Sequence, residues 1–277
     1  MRDPTEPPSD ARDAATADRR AVLLSVAYDG RTFAGWAPQP GQRTIHGELL
    51  RALREVDPTI EALRGASRTD SGVHAKDQRA SFDPTLVMPS RGWVLSVNRY
   101  LPPEIAVRRA ARVPLGFQPR YVSRGKRYRY LLLRDRVRDP FVDSRAWRID
   151  GLSSDEAMAR VREEAVLALG THDFAAFRSS ADARRSTIRT LRAVDVTLDP
   201  ADARLCRVDV EGDAFMHNMV RILVGTIVDV GRGHLAPGAI ARAIASRSRR
   251  DAGITAPPDG LCLERVLLEY EGEAAWP

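Results

Sequence analysis

The stretch from Phe215 to Val230 constrains the fold of this chain more than any other. Met219, Val220, Ile222 and Leu223 make a helix here apolar nearly all round, so it has to be buried. Arg221 sits inside that apolar surface and therefore needs a partner. Gly231 closes the segment.

The remaining segments are short and bounded by turn residues. Strands are expected at Ala21 to Tyr28, Val73 to Phe82, Ile105 to Val113, Lys126 to Arg134, Leu191 to Leu198, Leu205 to Glu211 and Glu264 to Tyr270, with a further extended piece around Thr32 to Trp36. Helices are expected at about Thr44 to Val56, where Ile45, Leu49, Leu50 and Leu53 keep helical spacing, and at about Arg91 to Tyr100. Two more run from a capping box at Ser153 and Glu156 to about Leu169, and from Pro237 as first helical residue to about Ser246. Hairpins outnumber regular strand–helix–strand repeats, which predicts an α+β protein with a mixed or antiparallel sheet and helices on one side. A strand, turn and apolar helix recur near residues 21–56 and 205–230. The expected organisation is a solvated tail at residues 1–20 and two related half-domains, 21–115 and 116–277, around a central basic cleft.

The first twenty residues mix charges and prolines without an apolar core, unlike a signal peptide, and no apolar run approaches the ~20 residues that cross a bilayer. Two cysteines, Cys206 and Cys262, are too few for a disulfide framework or a cysteine-rich zinc site and fit a reducing cytoplasm. The net charge is +6, carried by arginine except at Lys76 and Lys126. A GC-rich coding sequence accounts for that bias; so does a polyanionic partner, because planar guanidinium suits phosphate. Between Arg108 and Arg148, thirteen basic residues face three aspartates, a local excess of +10, and Phe117, Tyr121, Tyr128, Tyr130, Phe141 and Trp147 are interleaved. Such a surface fits stacked, unpaired bases; a solvated strand face with inward aromatics fits equally.

The segment Gly65-Ala-Ser-Arg-Thr-Asp-Ser-Gly-Val-His-Ala75 concentrates chemistry. Alone it is a tight loop in which Asp70 caps local amides and Arg68 pairs with it. Its order in the chain adds meaning. The loop resembles the catalytic loop of TruA-type tRNA pseudouridine synthases, Arg-Thr-Asp-x-Gly-Val-His. Tyr28-Asp-Gly-x-x-Phe-x-Gly-Trp36, Gly125-Lys-Arg-Tyr-Arg-Tyr130, Phe215-Met-His-Asn-Met-Val-Arg-Ile-Leu-Val-Gly225 with Val230-Gly-Arg-Gly233, and Ala256-Pro-Pro-Asp-Gly-Leu261 resemble further motifs of that family, in the same order. The departures are Ser67 and Ser71 in the loop and Phe117-Gln-Pro-Arg-Tyr121 in place of Phe-His-Ala-Arg.

The resemblance implies that Asp70 is the essential carboxylate, that Arg68 fills the space left by a flipped base, and that Tyr128 lies beside the uracil. It also implies that Arg221 pairs with Asp70 and that Leu261 lines the pocket. It further implies an isomerase acting on tRNA uridines 38, 39 and 40 as a homodimer, without cofactor or metal. The residue types suit that chemistry. Breaking the C1′–N1 bond leaves positive character on the ribose, which an ionised carboxylate stabilises, and a paired arginine favours the ionised form. Two other readings compete: a non-catalytic RNA-binding protein on the same fold, which has no need of Asp70, and a small hydrolase using Asp70 with His74. His46, His74, His172, His217 and His234 are too scattered for a metal site and read as structural or RNA-contacting.

Overall fold

The structure is a computed structural model that describes residues 20–182 and 185–277. Apart from Arg20, the expected tail lies outside the described residues. Eleven strands form one sheet: β1 (Ala21–Tyr28), β2 (Arg64–Gly65), β3 (His74–Phe82), β4 (Ile105–Val113), β5 (Ser123–Leu133), β6 (Trp147–Arg148), β7 (Gly170–Asp173), β8 (Ile188–Leu198), β9 (Leu205–Gly212), β10 (Leu261–Leu268) and β11 (Glu273–Trp276). The α-helices among the described residues are α1 (Ile45–Val56), α2 (Ser90–Asn98), α3 (Asp155–Val166), α4 (Met219–Gly231) and α5 (Ala239–Ser246).

The strand order is β11-β4-β1-β3-β10-β5-β9-β8-β7, with β2 added beside β3 and β6 beside β5. Pairing is antiparallel except for β3 with β10 and β5 with β6. The sheet is therefore mixed, as the hairpin-rich sequence implies. About β10 at the centre, β3 and β5 occupy equivalent places, as do β1 and β9, and β4 and β8. The two strands that precede α1 and α4 thus hold corresponding positions, which gives the echo in the sequence a spatial meaning. The sheet runs unbroken across residue 115, because β10 and β11 return to pair with β3 and β4.

Alternation along the strands decides the two faces. Val22, Leu24 and Val26 of β1, Tyr128, Tyr130 and Leu132 of β5, and Val208 and Val210 of β9 belong to one continuous core. The buried residues of all five helices join the same core, so the helices cover one side of the sheet. The opposite face carries ion pairs: Arg79 with Asp77 at 2.7 Å, Arg127 with Glu211 at 2.7 Å and Arg129 with Asp209 at 2.8 Å.

Several expected boundaries move. Residues 32–36 form turns rather than a strand: the Phe33 amide turns back to Gly30, that of Ala34 to Arg43, and only that of Trp36 reaches the Asp70 loop. Helix α3 starts one residue later than its expected capping box, with the Ser154 side chain accepting from the Ala157 amide. It ends at Val166, and Gly170, at φ 102°, opens β7 instead of stopping the helix. The apolar helix α4 begins at Met219 and not Phe215, because Asn218 adopts a left-handed φ of 62°. Pro237 lies before α5, whose first amides are met by the buried Glu164 carboxylate at Gly238 and Ile240.

Candidate active site

The turn after β1 builds the seat of the Asp70 loop. Trp36 donates its amide to the Thr69 carbonyl (3.1 Å), while the Phe33 carbonyl accepts from the Gly72 amide (3.3 Å) and the Ser71 hydroxyl (3.2 Å). The buried Tyr28 and Thr69 hydroxyls are 2.8 Å apart. Gly35 has φ 102°, and a Cβ there would lie 2.7 Å from the Thr69 carbonyl oxygen; a Cβ on Gly30 would lie 2.0 Å from that of Val73. Backbone thus approaches backbone so closely that only glycine fits. From the other side the fully buried Gln78 accepts from the Ser67 amide and donates to its carbonyl. The Val73 amide donates to the Asp70 carbonyl at 3.2 Å and closes the turn. These bonds convert a polar loop into a fixed platform, which is the preorganisation a reacting carboxylate needs.

Arg221 enters from α4. Its Nε donates to the Ala256 carbonyl (2.7 Å) and its Nη1 to the Asn218 side-chain oxygen (2.8 Å). Nη1 lies 3.8 Å from Asp70 Oδ2, and His217 Nε2 lies 3.6 Å from Oδ1. Side-chain exposures of 16% for Arg221 and 25% for Asp70 place the pair at a half-buried rim. The separation is that of an ion pair without a direct hydrogen bond. The guanidinium is therefore oriented chiefly by the scaffold, and its field acts on the carboxylate without closing over it.

Tyr128 lies on the helix-covered face of β5, its hydroxyl 3.4 Å from Ser67 Oγ and its ring edge-on to Phe215 with centroids 5.1 Å apart. Leu261 is buried at the start of β10, opposite Tyr130. Tyr130 is core, and its hydroxyl donates to the Pro257 carbonyl. Arg68 is exposed two residues from Asp70. The fold therefore brings Asp70 and Arg221 together and ties Tyr128 to the same loop through Ser67. Leu261 enters only through the sheet beneath. His217, expected as a structural or RNA-contacting histidine, reaches Asp70 from the turn before α4, a placement that no spacing in the sequence determines.

His74 does not serve Asp70. Its Nδ1 accepts from the Gly30 amide at 3.2 Å and its Nε2 donates to the Asp259 carbonyl at 3.1 Å. Burial pushes its pKa below the usual histidine value, so the ring is a neutral brace between the β1 turn and the closing loop. The hydrolase reading loses its base.

A family model described as tRNA pseudouridine synthase matches residues 165–269. The tRNA pseudouridine synthase A of Geobacter sulfurreducens is 42% identical over 251 residues, covering 89% of this chain and 99% of that protein. That of Syntrophotalea carbinolica is 41% identical over 246 residues, covering 88% and 95%. This chain belongs to the tRNA pseudouridine synthase A family. For a member of that family the five matched motifs acquire one physical sense, since four of them meet at a single loop. The Tyr28–Trp36 motif seats it, the Gly125–Tyr130 strand carries Tyr128 beside it, the Phe215–Gly225 helix supplies Arg221, and the 256–261 segment anchors Arg221 through Ala256. Pro258 of that segment also packs where a Cβ on Gly72 would lie, 2.8 Å from its Cγ.

Proposed function

We propose that this chain isomerises uridine to pseudouridine at positions 38, 39 and 40 of the tRNA anticodon stem-loop, with Asp70 as the catalytic carboxylate. The observation that carries the proposal is the placement of Asp70 on a rigid loop, 3.8 Å from a guanidinium that the scaffold orients. In the reaction the C1′–N1 bond breaks, the uracil turns, and C1′ joins C5. C5 loses a proton and N1 gains one, so the overall formula is unchanged. Asp70 meets the positive character that C1′ develops, and the Arg221 guanidinium fixes the charge environment beside it.

The base must leave its stack, at a cost of a few kcal/mol. Tyr128 stands beside the extruded uracil, Leu261 lines the pocket under it, and Arg68, exposed on the same loop, occupies the gap in the helix. Residues 21–115 and 116–277 act as two half-domains flanking the basic cleft that receives the RNA. A homodimer with the tRNA spanning both subunits, working in the cytoplasm, completes the reading. In support, no helix among the described residues is long and apolar enough to cross a membrane.

The test replaces Asp70 by Asn, which keeps the shape and removes the charge. Pseudouridine formation on a tRNA transcript is expected to vanish while tRNA affinity is largely retained. An active Asp70→Asn protein would overturn the assignment.

A further inference from the structure

The fold separates the aromatics of the basic stretch 108–148: Tyr121, before β5, is 82% exposed, whereas those of β5 are not. Tyr128 and Tyr130 enter the core, and Arg127 and Arg129 are neutralised by Glu211 and Asp209 on the opposite face of the sheet. The loop of residues 134–146, between β5 and β6, is different. Phe141 is 91% exposed and Val137 70% exposed.

This loop is braced. Arg204 pairs with Asp139 at 2.9 Å and Asp135 at 3.5 Å. The Asp139 carboxylate accepts from the Phe141 amide, and its carbonyl accepts from the Val142 and Asp143 amides. At the far end Arg145 reaches Asp29 at 3.1 Å. Asp29 adjoins Gly30, whose backbone packs against Val73 of the Asp70 loop. The loop is therefore continuous with the wall of the site. The braced loop thus holds the Phe141 ring in water beside the site, with its face open to a partner. Of the exposed arginines around it, Arg136 pairs with Asp150 at 3.1 Å and Arg145 with Asp29, while Arg138 and Arg148 face solvent and match a polyanion.

We infer that Phe141 is a stacking platform for an unpaired base of the tRNA, with the flanking arginines on the adjacent phosphates. Stacking on an aromatic face tolerates any base, and guanidinium groups beside it track the backbone. The inference rests on the reading that tRNA is the substrate.

The experiment measures binding of an unmodified tRNA transcript carrying uridines 38–40, across a salt series. Phe141→Ala is expected to weaken affinity by roughly tenfold, the size of one lost base stack. Phe141→Trp is expected to retain wild-type affinity. Phe141→Ala should leave the log–log salt slope unchanged, whereas Arg138→Ala should reduce it by about one. Wild-type tRNA affinity in Phe141→Ala overturns the inference. If that variant also dissociates into monomers on sedimentation, Phe141 is a contact between copies of the chain. Repeating the binding with Asp70→Asn separates the two proposals. Phe141-dependent binding without pseudouridine formation by the wild-type protein sinks only the proposed activity. Full activity with Phe141-independent binding sinks only the stacking platform.

Discussion

Arg221 is the residue whose surroundings say most about the site. Its polar head is committed to Ala256 and Asn218, so it is already aimed before any substrate arrives. The cost of that aim is visible one turn earlier, where Asn218 takes a left-handed conformation that non-glycine residues seldom adopt. Replacing Arg221 by Ala removes the guanidinium that faces Asp70 at 3.8 Å and leaves two acceptors without their donor. A loss of turnover on the order of a hundredfold is expected, comparable to removing one preorganised electrostatic group. Arg232, exposed just beyond the same helix, should change turnover by no more than about twofold on conversion to Ala. Single-turnover pseudouridine assays on both variants check the contrast, and equal effects would undo the pairing argument.

At the scale of elements, the β1 turn and the Asp70 loop are one unit assembled from two parts of the chain. Gly35 joins them through a left-handed φ of 102°, with the Thr69 carbonyl oxygen 2.7 Å from where a Cβ would lie. Gly35→Ala is expected to cost about 1–3 kcal/mol through backbone strain and to displace Thr69, with a loss of turnover larger than the loss of tRNA affinity. Denaturant unfolding beside single-turnover kinetics measures both. An Ala variant with wild-type turnover would show that the close approach is not needed for the chemistry. Strand β5 teaches the complementary point. Its alternation of tyrosine and arginine looks like a nucleic-acid surface, but the pleat sends the two residue types to opposite faces, one into the core and one into ion pairs.

On the scale of the whole molecule, two buried imidazoles contribute to the loss of stability on mild acidification. His74 bridges Gly30 and Asp259, His46 meets the Leu63 carbonyl, and burial lowers both pKa values. The unfolded chain takes up protons at its ordinary histidine value, about 6.5, while the native protein resists them. Stability is therefore full above that pH and falls as pH drops through it, levelling only below the depressed native values. Thermal melts should show a lower Tm at pH 5.5 than at pH 7.5, and an unchanged Tm would contradict the neutral assignment of these rings.

Turn residues, apolar spacing and helix-start signals located β1, β3, β4, β5, β8, β9 and β10 and the five helices of the described residues to within a few residues, because these patterns record where elements end and which faces are buried. The short strands β2, β6, β7 and β11 carry too few residues for a pattern, and only pairing with a neighbour makes them strands. The motifs along the chain singled out Asp70, Arg221, Tyr128, Arg68 and Leu261 as candidates, since chemistry constrains residue type. The sequence could not say that residues 32–36 serve the Asp70 loop, that α4 starts only after Asn218, that His217 reaches Asp70 while His74 turns away, or which aromatics stay in water. Those outcomes depend on contacts between segments far apart in the chain, and such contacts exist only once the sheet has brought β1, β3, β10 and β5 side by side.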